Sequence, residues 1–212
     1  MKKRGYLWLV PAVLWLLFTA WYTDFGGPLS GSEVNEAMAT LRARGMDTGR
    51  LDTFERFLRE DDGRQFLMVN VIDLADDPPH MEGFGADATA EDYQDHYMAH
   101  MYPALFARAS HPIFYGVAVG PALDVTGIDG AGSWDYAALV RYRSRRSFME
   151  VITLPDTVAR HAYKLAAMTR TLAYPVTPVL YLSDPRLLLA LVLGLATALG
   201  DRLLYGCSRG RG

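Results

Sequence analysis

The hydrophobic positions of the chain form two long uninterrupted runs, with shorter periodic segments between them. The first run, residues 6–22 (YLWLVPAVLWLLFTAWY), contains no charged residue and is close to the minimum of about 17 residues for a membrane-spanning helix. The second run, residues 187–200 (LLLALVLGLATALG), becomes long enough to span when it continues past Asp201 and Arg202 to Gly206. The pattern therefore predicts a transmembrane helix on each side of a soluble middle region.

Two short amphipathic helices are predicted directly after the first run. Ser32 belongs to the residue types that cap helices, and apolar side chains follow it at helical spacing to about Arg44. A second apolar stripe runs from Leu51 to Leu58, and the turn-forming residues 61–63 (Asp-Asp-Gly) end it. We expect this helix pair to pack against the membrane-proximal end of the domain that follows.

The next segments alternate between strand and helix patterns. Residues 66–74 (FLMVNVIDL) are apolar at nearly every position, which predicts a strand that is covered on both faces. Pro175 and Pro178 place the last strand at a sheet edge, because proline cannot donate a backbone hydrogen bond. The predicted elements are a strand at 66–74, a helix at 90–109, strands at 113–119 and 136–142, a helix from 145 to about 170 interrupted at Pro155, and a strand at 172–180.

This order predicts an α+β fold of the ferredoxin-like βαββαβ type. In that arrangement both helices lie on one face of a four-stranded antiparallel sheet, and the other face stays open. Since the strands are apolar on both faces, something must cover the open face, and a second copy of the same sheet is the simplest cover. We therefore expect a homodimer that is joined through its sheets.

Charge divides the chain at the same places as hydrophobicity. The sequence contains 21 Lys and Arg residues and 24 Asp and Glu residues, a net charge of minus 3. Seven basic residues and only one acidic residue, Asp201, lie in the two ends (1–23 and 186–212), so the ends carry plus 6. The middle keeps 14 basic and 23 acidic residues, a net charge of minus 9. Nucleic acid is therefore not expected as a ligand, and the single cysteine, Cys207, excludes a disulfide within the chain.

Basic residues beside both apolar runs indicate the membrane topology. Three of them precede the first run, and Arg209 and Arg211 follow the second. By the positive-inside rule, both ends lie in the cytoplasm and the acidic domain lies across the inner (cell) membrane, in the periplasm or outside the cell. A cleaved signal peptide is the alternative for the first run, because Thr19 and Ala20 are small. The expected segments are a transmembrane signal anchor at 1–23, a linker with two short helices at 24–62, the ferredoxin-like domain at 63–184, a transmembrane helix at 185–207 and a basic tail at 208–212.

Residues 64–178 carry three motifs that resemble the dimeric α+β-barrel superfamily. They are the long strand FLMVNVIDL, the segment WDYAALVRYRSRRSF with its basic-Ser-basic turn, and the proline-containing helix MEVITLPDTVARHAYKLAA. Within the superfamily, this part resembles an uncharacterised family of small domains that is related to antibiotic-biosynthesis and haem-degrading monooxygenases. The resemblance also implies the sheet-to-sheet homodimer, and it assigns no activity, because one fold supports many functions.

Haem-degrading members of the superfamily hold their substrate between the sheet and the second helix. The resemblance implies that Asn70 in the first strand, Tyr142 at the end of the third and His161, thirteen residues after Phe148, occupy the corresponding catalytic positions. Tyr142 replaces a tryptophan, which argues against ring-distorting haem oxygenation and leaves binding open. An enzyme with this site would be a monooxygenase-like oxidoreductase. No cofactor is expected, and haem is the alternative that the resemblance leaves open. The expected ligand contacts are Arg141, Met68 and Phe148.

Asn70 and His161 also have purely structural explanations. A buried amide without a partner costs about 1 to 3 kcal/mol, so a backbone group or a buried water is expected to satisfy Asn70 unless it faces a ligand. His161 borders the helix face formed by Val158, Ala162 and Leu165, which we expect to be buried. A hydrogen-bonded boundary histidine is therefore the alternative to a general base or an iron ligand.

Two further groups of side chains suggest binding. His96 and His100 have the i, i+4 spacing that lets two imidazoles meet one metal ion, but no motif supplies a third ligand, so no metal site is expected. Arg141 and Arg143 lie on one side of a predicted strand, where they could hold a carboxylate, and a solvated strand edge is the alternative.

The sequence contains no glycine-rich phosphate loop, no paired-cysteine zinc motif and no serine-nucleophile elbow, which argues against nucleotide-driven chemistry. Three hypotheses follow. The favoured one is a membrane-anchored α+β-barrel protein that binds a small apolar or aromatic ligand between sheet and helices. The alternatives are a cofactor-independent or haem-type monooxygenase and a structural or assembly subunit of a membrane complex.

Overall fold

The structure, a computed structural model, describes residues 2–206 and divides into two compact units. One unit comprises the chain up to Thr23 and again from Val179, and the other comprises Asp24–Pro178. Cys207 and the expected basic tail at 208–212 lie outside the described residues.

The described residues contain seven helices and four strands. The helices are α1 (Lys2–Tyr22), α2 (Gly31–Ala43), α3 (Thr48–Arg59), α4 (Ala90–Phe106), α5 (Arg145–Ile152), α6 (Pro155–Ala166) and α7 (Pro185–Tyr205). The strands are β1 (Phe66–Leu74), β2 (His111–Val117), β3 (Tyr136–Tyr142) and β4 (Met168–Val176).

The helices α1 and α7 form the first unit. By length and composition both are able to cross a membrane. They run antiparallel, because the start of α1 meets the end of α7: the Arg4 guanidinium donates two hydrogen bonds of 2.7 Å to the Asp201 carboxylate. At the other end, Trp15 Nε1 donates to the Arg186 carbonyl oxygen at 2.8 Å, and Arg186 Nη1 donates to Thr23 Oγ1 at 3.0 Å. Polar contacts therefore join the two apolar helices at both ends.

The four strands form one antiparallel sheet in the order β2-β3-β1-β4. In β1, Phe66 lies opposite Tyr142 and Met68 lies opposite Val140, and all four contribute to the core that packs against the helices. We call this the helix-facing side of the sheet. Because side chains alternate along a strand, the residues between them form the reverse side.

The observed boundaries agree with the sequence pattern best in the centre of the sheet. Both central strands, β1 and β3, have the predicted bounds, whereas β2 begins two residues early and β4 four residues early. The fourth strand starts directly after α6 and ends at Val176, before Pro178, which lacks a backbone donor. It lies at a sheet edge, as predicted.

The main core lies between the helix-facing side of the sheet and helices α2 to α5. Its centre is a group of aromatic rings: Phe66 stacks on Tyr142 with ring centroids 5.3 Å apart, and the edge of Phe148 meets Tyr142 at 5.0 Å. From α2 and α3, Val34, Met38, Leu41 and Leu58 are almost completely buried in the same core. These two short helices are therefore part of the compact unit that contains the sheet.

A network of charged groups fixes α2 against the start of α5. The cap of α2 is Ser30, two residues before the predicted Ser32, because Glu33 then occupies the position where its carboxylate accepts from the Ser30 backbone. Arg146 Nε donates to Glu33 Oε1 at 2.8 Å, and Arg146 also pairs with Asp24 at 3.4 Å. The hydrogen bonds from Arg146 and Ser30 lower the pKa of Glu33 from its usual value of 4.5 to about 2. The network therefore favours a charged Glu33.

Candidate functional site

Asn70 lies in the middle of the sheet on its helix-facing side. Its directly opposed neighbours are both short, Ala138 in β3 and Ala173 in β4. The Asn70 side-chain nitrogen donates to the Met68 carbonyl oxygen at 3.1 Å, so its own strand satisfies one of its donors. Within residues 2–206, no group donates a hydrogen bond to the Asn70 side-chain oxygen, and the residue is only partly buried.

The helices leave part of this side of the sheet uncovered. The β4 residues on the helix-facing side, Thr171, Ala173 and Pro175, are all exposed. Three short or polar residues, Ala138, Asn70 and Ala173, therefore form a row across three strands on this side of the sheet. We call this row the alanine-asparagine strip.

Helix α6 presents apolar residues to the outside, contrary to the sequence prediction. Val158 is 40% exposed and Leu165 is 58% exposed, and Ala162 between them is exposed as well. The contacts with α4 are made instead by the neighbouring stripe: Thr157 Oγ1 bonds to His100 Nε2 at 3.1 Å, and Arg160 Nη1 donates to the His96 carbonyl oxygen. The face that was expected to be buried is therefore an unpartnered apolar stripe.

His161 lies between these two stripes of α6 and is partly buried. Burial lowers the pKa of His161, and the positive charges of Lys164 and Arg50 lower it further. The imidazole is therefore biased toward its neutral form, which is the form that can accept a proton or bind a metal. No hydrogen bond joins His161 to Asn70 or Tyr142 within the described residues.

Tyr142 and Phe148 pack together in the core, where each is less than 10% exposed. Burial raises the pKa of Tyr142, so its hydroxyl stays protonated. Met68 also contacts this core, but it is only partly buried and lies next to Asn70 on the same side of β1. The structure thus places Asn70 and Met68 in accessible positions and Tyr142 and Phe148 in closed ones.

Arg141 lies on the reverse side of the sheet and is fully buried. Its Nε donates to Gln65 Oε1 at 2.8 Å, and its Nη1 donates to the carbonyl oxygen of Ala109. Ala109 has a positive φ of 49°, so Arg141 holds the tight turn between α4 and β2. In this position the guanidinium is separated from Asn70 by the sheet.

The two histidines of α4 are engaged separately. The His96 ring packs against Tyr163 with centroids 4.6 Å apart and against Phe84 at 5.4 Å. His100 bonds to Thr157, and its Nδ1 lies 4.0 Å from Asp156. Among the described residues, no group of three His, Cys, Asp or Glu side chains is arranged to hold a metal ion.

The structure contains three polar features that the sequence analysis did not predict. A cleft of about 560 Å³ lies at the ends of β1 and β2 beside the start of α4, and four of its acidic side chains are Asp76, Asp77, Asp87 and Glu91. The side-chain oxygen of Gln94 is shielded from solvent with no partner in the part of the chain that is described. Lys164 on α6 is partly buried above the ring of Tyr97. Only the acidic cleft had a visible sequence signal, the aspartates after β1.

No protein-family model matches the sequence, and no curated protein matches it either. Among solved structures, a protein of unknown function from Rhodopseudomonas palustris is similar over 61% of this chain and 94% of its own, with 18% identity and a TM-score of 0.51. The methylated form of that protein is similar over 63% and 93%, with 19% identity and a TM-score of 0.52. SnoaB, a cofactor-independent oxygenase from Streptomyces nogalater, is similar over 57% and 99%, with 12% identity and a TM-score of 0.34. The likeness to the Rhodopseudomonas protein shows a shared α+β fold.

Proposed function

We propose that this protein is a membrane-anchored, ferredoxin-like α+β-barrel protein that binds a small apolar or aromatic ligand between the sheet and the helices. The observation that carries the proposal is the alanine-asparagine strip, a row of short side chains on the helix-facing side of the sheet. The strand order β2-β3-β1-β4, with helices on one side, supports the ferredoxin-like assignment.

The anchor consists of α1 and α7. Their outward residues are apolar and exposed, as expected for surfaces that face lipid, and their strongest polar contact, Arg4 with Asp201, lies near the helix ends. With the basic residues beside both helices, this arrangement favours cytoplasmic ends and a domain on the far side of the inner membrane. Reporter fusions at both termini, active only in the cytoplasm, would test this topology.

The reverse side of the sheet supports a homodimer. Phe114, Leu172 and Tyr174 lie on this side and are each more than 40% exposed, next to the partly buried Val69 and Val71. An apolar sheet face of this kind is normally covered, and a second copy of the domain covers it symmetrically. We expect Leu172→Lys to convert a cross-linkable dimer into a monomer. A dimer unchanged by this substitution would contradict association through the sheet.

The proposed ligand lies on the helix-facing side, over the alanine-asparagine strip. Met68, next to Asn70 on the same side of β1, would contact its ring, and the free oxygen of the Asn70 amide would accept a hydrogen bond from it. Few polar groups set among apolar surface are typical of small-molecule sites, where the polar groups fix orientation. A flat ring fits the strip because its residues are short.

The test uses the full chain in lipid nanodiscs and 2-naphthalenemethanol as the probe. Ala173→Trp fills the strip and should abolish probe binding, measured by saturation-transfer NMR, without lowering the unfolding temperature. Ala159→Trp is the matched control, because Ala159 is an exposed alanine on α6 outside the apolar stripe. Equal binding by both variants would contradict the site.

Related measurements test the other two hypotheses, a monooxygenase and a structural or assembly subunit. Oxygen uptake with a hydroquinone, lost in Asn70→Leu, would favour the monooxygenase alternative, in which Asn70 and His161 act on the bound ring. A Soret shift with haemin would favour the haem-binding form of it. If the wild-type protein binds no aromatic probe, the ligand proposal is wrong and the structural or assembly role is favoured.

A further inference from the structure

The chain directly before α7 is apolar and faces outward. In residues 179–182 (Val-Leu-Tyr-Leu), Val179 is 101% exposed, Leu180 is 77% exposed and Leu182 is 70% exposed. The hydroxyl oxygen of Tyr181, the polar group of this run, is shielded from solvent. A segment that faces water has the opposite arrangement, with its polar group outside and its large apolar side chains covered. We call residues 179–182 the pre-helix segment.

Polar contacts fix the point at which the pre-helix segment joins α7. The segment belongs to the same compact unit as α1 and α7. Arg186 pairs with Asp184 at 2.5 Å, and its Nη1 donates to Thr23 Oγ1, directly after α1. Its guanidinium carbon also lies 5.3 Å from the centroid of the Tyr22 ring. Charged groups and aromatic rings favour the headgroup region of a membrane, so in the anchored arrangement this cluster lies at one edge of the hydrocarbon core.

The length of the chain keeps the pre-helix segment close to this edge. A fully extended chain spans at most about 3.6 Å per residue, so Leu182 lies within about 7 Å of Asp184 and Leu180 within about 14 Å. The interfacial region on each side of the hydrocarbon core is about 5 to 8 Å thick. The segment therefore begins inside this region, and its side chains determine whether it stays there or leaves for water.

The distance between the charged contacts of α7 is shorter than the hydrocarbon core. From Arg186 to Asp201 the helix rises about 22 Å at 1.5 Å per residue, whereas the core is about 30 Å thick. Apolar residues outside these two charges reduce this mismatch. Beyond Asp201, Leu203 and Leu204 are exposed, and at the other end the pre-helix segment precedes Arg186. Transfer of its exposed leucine and valine side chains from water into hydrocarbon is favourable.

We propose that the pre-helix segment lies in the bilayer, with Val179, Leu180 and Leu182 among the lipid acyl chains at the edge of the hydrocarbon core. This inference rests on the proposed anchoring by α1 and α7, and it adds a lipid-binding segment to that anchor. The chain runs along the membrane surface before it turns into α7. The shielded hydroxyl of Tyr181 fits this position, because acyl chains offer it no hydrogen bond.

The experiment places single nitroxide labels on the full chain in nanodiscs of dimyristoylphosphatidylcholine. Cys207, the single cysteine, is first changed to serine, and Leu180→Cys then carries the label in the segment. Power-saturation electron paramagnetic resonance compares collisions with oxygen, which concentrates in hydrocarbon, and with a water-soluble nickel chelate. Leu123→Cys is the matched control, because Leu123 is a 102% exposed leucine in the loop between β2 and β3. The ratio of oxygen to nickel collisions should be severalfold higher at position 180 than at position 123.

A third label, Leu195→Cys in the exposed middle of α7, separates this inference from the anchor on which it rests. A high ratio at position 195 with equal ratios at 180 and 123 would overturn the lipid contact of the segment and leave the anchor standing. Low collision rates with both reagents at 180 would also overturn it, because they indicate cover by protein, such as a second copy of the chain. A low ratio at 195 would overturn the anchor and this inference together. In the unlabelled protein, NMR should show cross-relaxation between lipid chain protons and the Leu180 methyl groups, and its absence would equally contradict the proposal.

Discussion

The two sides of the sheet are similar in composition and very different in environment. On the helix-facing side, Phe66 and Tyr142 are 4% and 5% exposed beneath a layer of helices. On the reverse side, Phe114 and Tyr174 are about half exposed. Both sides of the sheet therefore carry apolar residues, and within the described residues the helices of this domain pack against only the helix-facing side. Burial against the helices therefore accounts for the apolar residues on one side of the strands and not for Phe114 and Tyr174 on the other.

The helix-facing side is itself divided. One half, around Phe66 and Tyr142, is filled by aromatic rings, whereas the other half, farther along the strands, shows the short residues of the alanine-asparagine strip. Packing explains the first half, since large side chains fill a core to high density. It does not explain the second half, where an asparagine and two alanines occupy positions that a core would fill with larger residues.

The largest effect is expected from Phe66→Ala on the helix-facing side. The substitution removes a ring that packs against Tyr142, Phe57 and Phe148, and it should lower the free energy of unfolding by about 3 to 5 kcal/mol. Leu172→Ala on the reverse side should cost less than about 1 kcal/mol in dilute protein, because Leu172 is 43% exposed. Urea unfolding, monitored by near-ultraviolet circular dichroism, measures the free energy of unfolding of both variants. An equal loss of stability in the two variants would contradict the difference between the two sides.

An intermediate effect is expected from Arg141→Met, which removes the buried guanidinium on the reverse side of the sheet. The carbonyl oxygen of Ala109 and the side chain of Gln65 would each lose a donor, which costs about 1 to 3 kcal/mol. The same unfolding assay checks this value. Gln65→Leu should recover part of the loss in the Arg141→Met background, because it removes one of the two acceptors that have lost the guanidinium donor. A double variant that is less stable still would contradict the structural role of Arg141.

The smallest effect is expected from acid, and it should act on the helix-facing side alone. The pKa of Glu33 is lower in the folded protein than in the unfolded chain, so its contribution to stability is complete above pH 4.5 and is lost as the pH falls toward 2. Hydrogen exchange should show loss of protection in α2 over this interval, while the β1 and β3 pairing is unchanged. Glu33→Gln should remove the pH dependence in α2, and an unaltered dependence would exclude Glu33 as its cause.

The strands were easier to predict from the sequence than the faces of the helices. Residues 66–74 and 136–142 have runs of apolar and β-branched side chains, which specify central strands without tertiary information. The periodicity of α6 correctly placed Val158, Ala162 and Leu165 on one face of the helix. Periodicity alone does not determine which face of the helix packs against the rest of the domain. Polar contacts from Thr157 and Arg160 to α4 determine that choice, and they depend on residues about 60 positions away.

The candidate site was only partly predictable for a similar reason. Asn70 stands out because it interrupts an apolar strand, and the structure places it on the side of Phe66 and Met68, as expected from alternation. Lys164 gave no local signal, since it is an ordinary basic residue on an amphipathic helix. Its position above the Tyr97 ring comes from the packing of α6 against α4, which no sequence spacing encodes.

The pairing of α1 with α7 has a consequence for biosynthesis. Arg4 and Asp201 are 197 positions apart, so the ribosome makes the arginine long before its carboxylate partner exists. In the anchored arrangement that we propose, α1 enters the membrane by itself, and the whole intervening domain is translocated before α7 can insert beside it. Closure of the helical hairpin is then a late assembly step. In that arrangement, the contact between Arg4 and Asp201 forms only after the domain has been translocated and the chain has crossed the membrane a second time.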